Sequence, residues 1–330
     1  MTASPATPAL SRRSLLGAAA MLPLTGAALA AAPAPVPAAR PDARLVDAHI
    51  HFFTNDLRHY PVDLRNAREP EAVMQARILN APVTPEAILP LWSRMGIMGG
   101  LGVQYSGAYK TDNSYVLDAA DAHPGQIRTE IILSSAAPES VGRLATLAQS
   151  RHVSAIRLTG FADADGDLPW LKSPTALDLW ALAQSLGLPI GITYLRPDPT
   201  SAALHTIRTL ADRFPDCVVM LEHLGWTGGA GSEDGLLPEH LALRDHANIR
   251  FKWTTLNIDA LSGAGIDPAA FLRAAVDLFG PARLMWGSDF GNTTRPYAGI
   301  VADARDATRL LNAAEAASVL GGTAQSLFRL

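Results

Sequence analysis

Two histidines one residue apart, His49 and His51, close the apolar stretch LVDAHIHFF over residues 45–53. In an extended strand alternate side chains share a face, so both imidazoles project into one space. Two imidazoles in one cavity ask for a metal ion or an acidic partner. Candidates stand at the ends of other apolar runs: His223 closes CVVMLEH (217–223) and Asp289 closes RLMWGSD (283–289). A carboxylate behind Leu-Met-Trp is costly to bury unless something pairs with it. Three histidines can surround that one carboxylate. Alternatively, all four can hold a metal ion. Either arrangement suits activation of water and transfer of its proton.

Such residues need elements that bring them together. Eight short β-rich runs alternate with helical patterns: 44–51, 99–105, 128–134, 153–159, 188–194, 217–223, 249–255 and 283–289. The first five are apolar without much polar alternation, as parallel strands buried on both faces should be. Between them, SPTALDLWALAQSLGLP sets Ser173 as N-cap and Pro174 in the first turn, and Gly187 ends the helix. The pattern predicts an α/β fold, a (β/α)8 TIM barrel. A doubly wound dinucleotide fold is disfavoured, because no G-x-G-x-x-G follows the first strand. Residues 52–98 form an unusually long connection, of which only TPEAILPLWSRMGI reads as the expected helix. The rest is a long insertion after strand 1, expected over the C-terminal mouth where barrels bind ligands.

The same strand ends supply substrate contacts: Gln104 on strand two, Arg157 on four, Tyr194 on five and Lys252 on seven. His59, in the insertion, is a further candidate. Arg196, Arg295 and Lys110 could add positive charge at the mouth, so a small, carboxylated substrate is expected. The remaining histidines fit the site less well: His123 and His152 lie away from the mouth, His205 faces outward on a helix, and His240 and His246 sit in a polar helical segment.

Charge and termini bound the rest. The 330 residues carry 27 Lys+Arg against 31 Asp+Glu, a net charge of −4, with no basic run. Nucleic acid is therefore not an expected partner. With Cys217 as the only cysteine, no intrachain disulfide can form. Arg12 and Arg13 precede an alanine-rich apolar stretch that ends in Ala28-Leu29-Ala30. This reads as a twin-arginine (Tat) signal peptide over 1–30, followed by an Ala/Pro-rich linker over 31–43 and the barrel domain over 44–330. The expectation is recognition by the Tat export machinery and a periplasmic protein. Pro23 and Gly26 break the apolar stretch, so no stable membrane anchor is expected after cleavage.

The stretches VDAHIHFF, PVTPEAILPLWSRMGI, VQYSGAYKTDNSYVLDAADAHPGQI, AIRL, VVMLEHLG and RLMWGSDFGN resemble the amidohydrolase superfamily. The resemblance is to its amidohydrolase-related (type 2) branch, and within that to the 2-pyrone-4,6-dicarboxylate lactonase and sugar lactonase group. It implies that His49, His51, His223 and Asp289 are catalytic and that Arg157 is the strand-four arginine of the lactonases. One departure stands out. Metal-dependent relatives carry a histidine at the end of strand five, where this chain has Thr193 and Tyr194. A metal-free site and a three-ligand zinc site of His49, His51 and Asp289 therefore both stay open. The expected reaction is hydrolysis of a lactone or related cyclic ester, with Asp289 activating water and the three histidines polarising the carbonyl. The alternatives are a metal-dependent decarboxylase, a lactone isomerase, or an exported binding protein without turnover.

Overall fold

The computed structural model describes residues 44–67, 69–195, 200–227 and 236–330. The expected signal peptide and linker, and Arg196, lie outside them. Eight strands run β1 (Leu45–Ile50), β2 (Ile97–Val103), β3 (Ile127–Ile132), β4 (Ala155–Gly160), β5 (Ile190–Tyr194), β6 (Val219–Leu221), β7 (Ile249–Thr254) and β8 (Leu284–Gly287). They pair in chain order, every pair parallel. The Asp289 N–H donates to the His49 carbonyl (2.7 Å) and the His51 N–H to the Phe290 carbonyl (2.9 Å), bringing the end of β8 back to β1. With helices between the strands, this is the (β/α)8 barrel the sequence predicts.

Two layers of apolar side chains cover the strands. Val46, Ala48, Leu101, Val103, Ala155, Met220 and Met285 fill one cluster together with Ala324 and Phe328 of the C-terminal helix. A larger cluster, which includes Ile50, Trp92, Trp180, Trp253 and Trp286, packs strands against helices. Strand β1 breaks its own alternation. Asp47 pairs with Gly100 and Ile50 with Gly102, three steps along β1 against two along β2. This β-bulge reverses the side-chain parity. Val46 and Ala48 lie in the inner cluster, while Asp47 reaches Tyr297 on an outer helix. Beyond the bulge, it is the odd positions His49 and His51 that share the inner face.

Strands β6 and β8 are shorter than the sequence suggests. His223 and Asp289 sit just past them with φ of 51° and 53°, a left-handed conformation that cannot continue an extended strand. The insertion is pinched at its neck, where Phe53 and Val83 exchange both backbone hydrogen bonds at 3.0 Å. Inside it lies a helix that the sequence reading left as irregular chain, Glu71–Asn80, burying Met74 and Ile78. Those two residues, four apart, are its only buried anchors, too few for a clear amphipathic signal. The helix Pro85–Met95 is capped by Thr84 and ends at Gly96, as expected. Among the described residues no helix is long and apolar enough to cross a membrane.

Candidate active site

The bulge in β1, the turn after β6 and the turn after β8 deliver four buried side chains to one place. His49 Nε2 lies 3.2 Å from His51 Nε2. Asp289 Oδ1 lies 3.5 Å from the first and 3.4 Å from the second. The His223 ring is centred 5.1 Å from that of His49. The partners of each ring assign its tautomer. His49 Nδ1 is 2.6 Å from Glu222 Oε2, a separation that requires a proton on the nitrogen. His51 Nδ1 donates to the Val103 carbonyl at 2.9 Å. His223 Nδ1 is 2.8 Å from Thr254 Oγ1, whose own hydroxyl donates to Asn257 Oδ1, so the ring donates here too. A neutral imidazole protonated at Nδ1 keeps its lone pair on Nε2. Burial lowers His49 to about 3 and His223 to about 4, so both are neutral near pH 7.

Asp289 completes an electron-rich centre. Its Oδ2 accepts from Asn292 Nδ2 and Thr293 Oγ1, each at 3.0 Å, whereas its buried Oδ1 accepts no hydrogen bond from the described residues. Burial alone would raise this carboxyl. The neighbouring imidazoles of His51, His223 and His49 overcome that and hold it well below the usual carboxylate range. Imidazoles that turn lone pairs inward accept protons and bind cations.

Behind His49 lies a charge network that the sequence reading missed. Glu222 Oε1 accepts from Lys252 Nζ at 2.8 Å, and Lys252 also pairs with Glu130. Arg157 Nη2 stands 3.7 Å from Glu222 Oε2. Burial pushes Glu222 up, but His49, Lys252 and Arg157 hold it well below the ordinary range. Glu130, with the Glu222 charge nearby, is pushed by burial up to about 8. Gly191 on β5 makes room for this pair: a Cβ there would stand 1.7 Å from Glu130 Oε1. The signal was present in the sequence as Glu222 immediately before His223 and Glu130 inside an apolar run, two carboxylates where burial alone forbids them.

His223 opens a turn of unusual hand. His223, Leu224, Gly225 and Trp226 have φ of 51°, 52°, 61° and 60°. Left-handed backbone costs a non-glycine residue roughly 1–2 kcal/mol, so this turn needs support. Asn257 Nδ2 donates to the His223 carbonyl at 2.7 Å. Tyr194 Oη (2.6 Å) and His240 Nε2 (3.0 Å) both donate to the Gly225 carbonyl, and Trp226 Nε1 donates to the Tyr194 carbonyl at 2.8 Å.

The expected substrate contacts divide accordingly. Arg157 is buried beside Glu222, and its Nε has no partner among the described residues. Tyr194 spends its hydroxyl on the turn. Lys252, expected as a cation at the mouth, is instead fully buried between two carboxylates, because only that pairing makes a buried ammonium tolerable. Gln104 is buried, and its amide donates to the Asp112 and Lys110 carbonyls, tying down the loop after β2. His59 is 70% exposed and pairs with Asp56 on the surface of the insertion. Arg295 is taken by Asp259 and Asp303. The insertion reaches the cluster by another residue: Arg77 Nη1 donates to Tyr105 Oη at 3.0 Å, and the Tyr105 ring is centred 5.2 Å from that of His51. His240, set aside as polar and helical, is fully buried.

A profile of the amidohydrolase family matches residues 46–330, the whole of the barrel. The chain belongs to the amidohydrolase family. Solved structures agree on the fold. A probable 2-pyrone-4,6-dicarboxylic acid hydrolase from Acinetobacter baumannii, with citric acid bound, superposes with a TM-score of 0.67 at 17% identity, over 87% of this chain and 100% of that one. An amidohydrolase from Burkholderia multivorans with bound zinc gives 0.64 at 18%, over 87% and 99%. A dihydroxybenzoic acid decarboxylase from Polaromonas sp. JS666, with manganese and 2-nitroresorcinol, gives 0.62 at 14%, over 87% and 97%. No curated protein sequence matches the chain.

A divalent ion fits the donor set of this amidohydrolase. Bonds of 2.0–2.2 Å in tetrahedral geometry separate ligand atoms by about 3.3–3.6 Å. The three separations among His49 Nε2, His51 Nε2 and Asp289 Oδ1 are 3.2, 3.4 and 3.5 Å. Both imidazoles are anchored at Nδ1, which aims Nε2 as a ligand. The buried Oδ1 without a donor is the atom that a cation would satisfy. His49 also groups with Glu222 and His223, but Lys252 and Arg157 already supply positive charge on that side.

Proposed function

We propose that this amidohydrolase hydrolyses a lactone or related cyclic ester, with one divalent metal ion held by His49, His51 and Asp289. The observation that carries the reading is the convergence of imidazole lone pairs on an ionised carboxylate oxygen that has no donor of its own. The likeness to a protein named a pyrone dicarboxylic acid hydrolase supports a cyclic, carboxylated substrate.

A metal ion, when bound, supplies Lewis-acid polarisation and lowers the pKa of water, which matches a carboxylate as weakly basic as Asp289. Asp289 receives the proton from water as its oxygen attacks the acyl carbon. The ring C–O bond then breaks, and Asp289 returns the proton to the leaving oxygen, giving an alcohol and a carboxylic acid that releases its proton to solvent. His223 Nε2, neutral and fixed through Thr254, accepts a hydrogen bond from the water and orients it. Arg157 places a permanent positive charge beside the cluster, suited to a carboxylate of the substrate. The test is acid release from a panel of lactones, dicarboxylated pyrones included, alongside metal content and chelator sensitivity. Ring opening that a chelator abolishes and a divalent ion restores is expected. Release of carbon dioxide would move the reaction to decarboxylation, and a rearranged lactone to isomerisation; no turnover with intact binding would mark a binding protein.

We also propose that residues 1–30 direct twin-arginine export to the periplasm. Changing Arg12 and Arg13 to Lys should leave the protein in the cytoplasm. Unchanged delivery in a host lacking that pathway would rule the route out.

A further inference from the structure

The left-handed turn at His223–Trp226 depends on the carbonyl between Gly225 and Trp226. That oxygen takes two donors, the Tyr194 hydroxyl at 2.6 Å and His240 Nε2 at 3.0 Å. On the other edge of the His240 ring, Nδ1 accepts the Leu237 N–H at 3.0 Å. An acceptor at Nδ1 leaves the proton at Nε2, so the ring is held in one tautomer and one orientation. There is no slack beside it: a Cβ on Gly225 would meet His240 Nε2 at 3.3 Å and Tyr194 Oη at 3.4 Å. The ring is fully buried.

We infer that His240 is a positioning residue for His223: by clamping the Gly225 carbonyl, it keeps the left-handed turn that aims the His223 ring toward His49 and Asp289. The turn is otherwise an unfavourable conformation for three of its four residues. Without its carbonyl clamp it can relax toward ordinary backbone angles, and His223, as its first residue, moves with it. Asn257 holds the His223 carbonyl and contacts Thr227 as well, fixing the two ends of the turn. His240 and Tyr194 fix its middle. The inference concerns where a ring points and holds whichever substrate the site takes.

The test reads that ring directly. Protein labelled with 13C and 15N in histidine gives ring signals, and His223 is assigned by the signal lost in His223→Asn. His240→Phe keeps a planar ring but has neither donor nor acceptor. His240→Gln offers both, on adjacent atoms of one amide. The expected result is that His240→Phe shifts or broadens the His223 signal, with that of the exposed His59 unchanged, and that His240→Gln restores it. Turnover on any substrate found should fall about 10²-fold in His240→Phe, chiefly in kcat, as a displaced group demands. In the His223→Asn background, His240→Phe should cost little more, because the two act as one unit. A folded His240→Phe protein whose His223 signal is unmoved would overturn the inference, whatever its melting temperature. Should that variant fail to fold, Tyr194→Phe removes the other donor to the same oxygen and must move the His223 signal; an unmoved signal there overturns it equally. If no lactone is turned over, the ring signals still decide.

Discussion

Asp47 and Asp289 are both buried carboxylates beside β1, one on each side of its bulge, and their surroundings are opposite. Asp47 accepts from the Ser288 N–H (2.8 Å), the Ser288 hydroxyl (2.6 Å), the Tyr297 hydroxyl (2.9 Å) and the His49 N–H (3.1 Å). Tyr297 in turn accepts from Trp92 Nε1 at 2.7 Å. Every lone pair has an answer, and the result ties β1 and the end of β8 to two outer helices. Asp289 has donors on one oxygen only, and its other oxygen faces Nε2 atoms that offer no proton. A satisfied buried carboxylate joins parts of a fold. One left half-satisfied is completed by something the chain does not contain.

The sharpest way to break this comparison is to neutralise each in turn. Asp289→Asn should lower kcat by at least roughly 10³, because it removes the general base and a ligand of the metal ion together. The fold should persist, and the metal-free variant should melt no lower than the parent, because the new amide N–H can donate to Nε2 atoms that now face a bare oxygen. Asp47→Ala should do the reverse. It strands buried donors at about 1–3 kcal/mol each, a loss of about 2–6 kcal/mol if two stay unpaired, while kcat measured well below the melting temperature stays within a few-fold of the parent. Equal effects of both changes on kcat would erase the distinction.

Ion binding sharpens the same contrast. Asp289→Asn should lose the divalent ion, and Asp47→Asn should keep it. Glu222→Gln removes the charge that holds the His49 Nδ1 proton and should weaken ion affinity about 10–100-fold, read by chelator competition and by a smaller rise in melting temperature with added ion. An unchanged affinity would mean that His49 is oriented without Glu222.

Much of this was legible in the sequence, and the illegible part has a common cause. Eight apolar runs gave the barrel, because strands buried on both faces leave an unmistakable pattern. His49, His51, His223 and Asp289 stood out because polar groups at the ends of such runs need a reason. The bulge did not show: nothing in LVDAHIHFF says that Asp47 turns away from His49. Lys252, Tyr194 and Gln104 were recognised as strand-end polar residues, but residue type does not say whether a side chain faces a ligand or another part of the chain. Glu222, Glu130 and His240 were passed over for the converse reason. Their partners lie between 15 and 173 residues away, and a buried polar group is understood only with its partner.

Glu130 supplies the smallest test and a third answer to the problem that Asp47 and Asp289 pose. Its Oε2 pairs with Lys252, while its buried Oε1 accepts no hydrogen bond. The unanswered oxygen is met here by a retained proton. Burial, reinforced by the Glu222 charge, raises it from 4.5 to about 8. The folded protein therefore holds a proton here that the unfolded chain releases above pH 4.5. Folding stability should be unaffected by this group below pH 4.5 and should decline as pH rises from there through 8. Glu130→Gln cannot ionise, and its amide oxygen can still accept from Lys252. The variant should thus gain on the parent as pH rises, by about 2 kcal/mol between pH 6 and 8, measured as urea midpoints at several pH values. A constant difference across that range would mean that Glu130 is already ionised at pH 6, with Lys252 alone compensating two carboxylates.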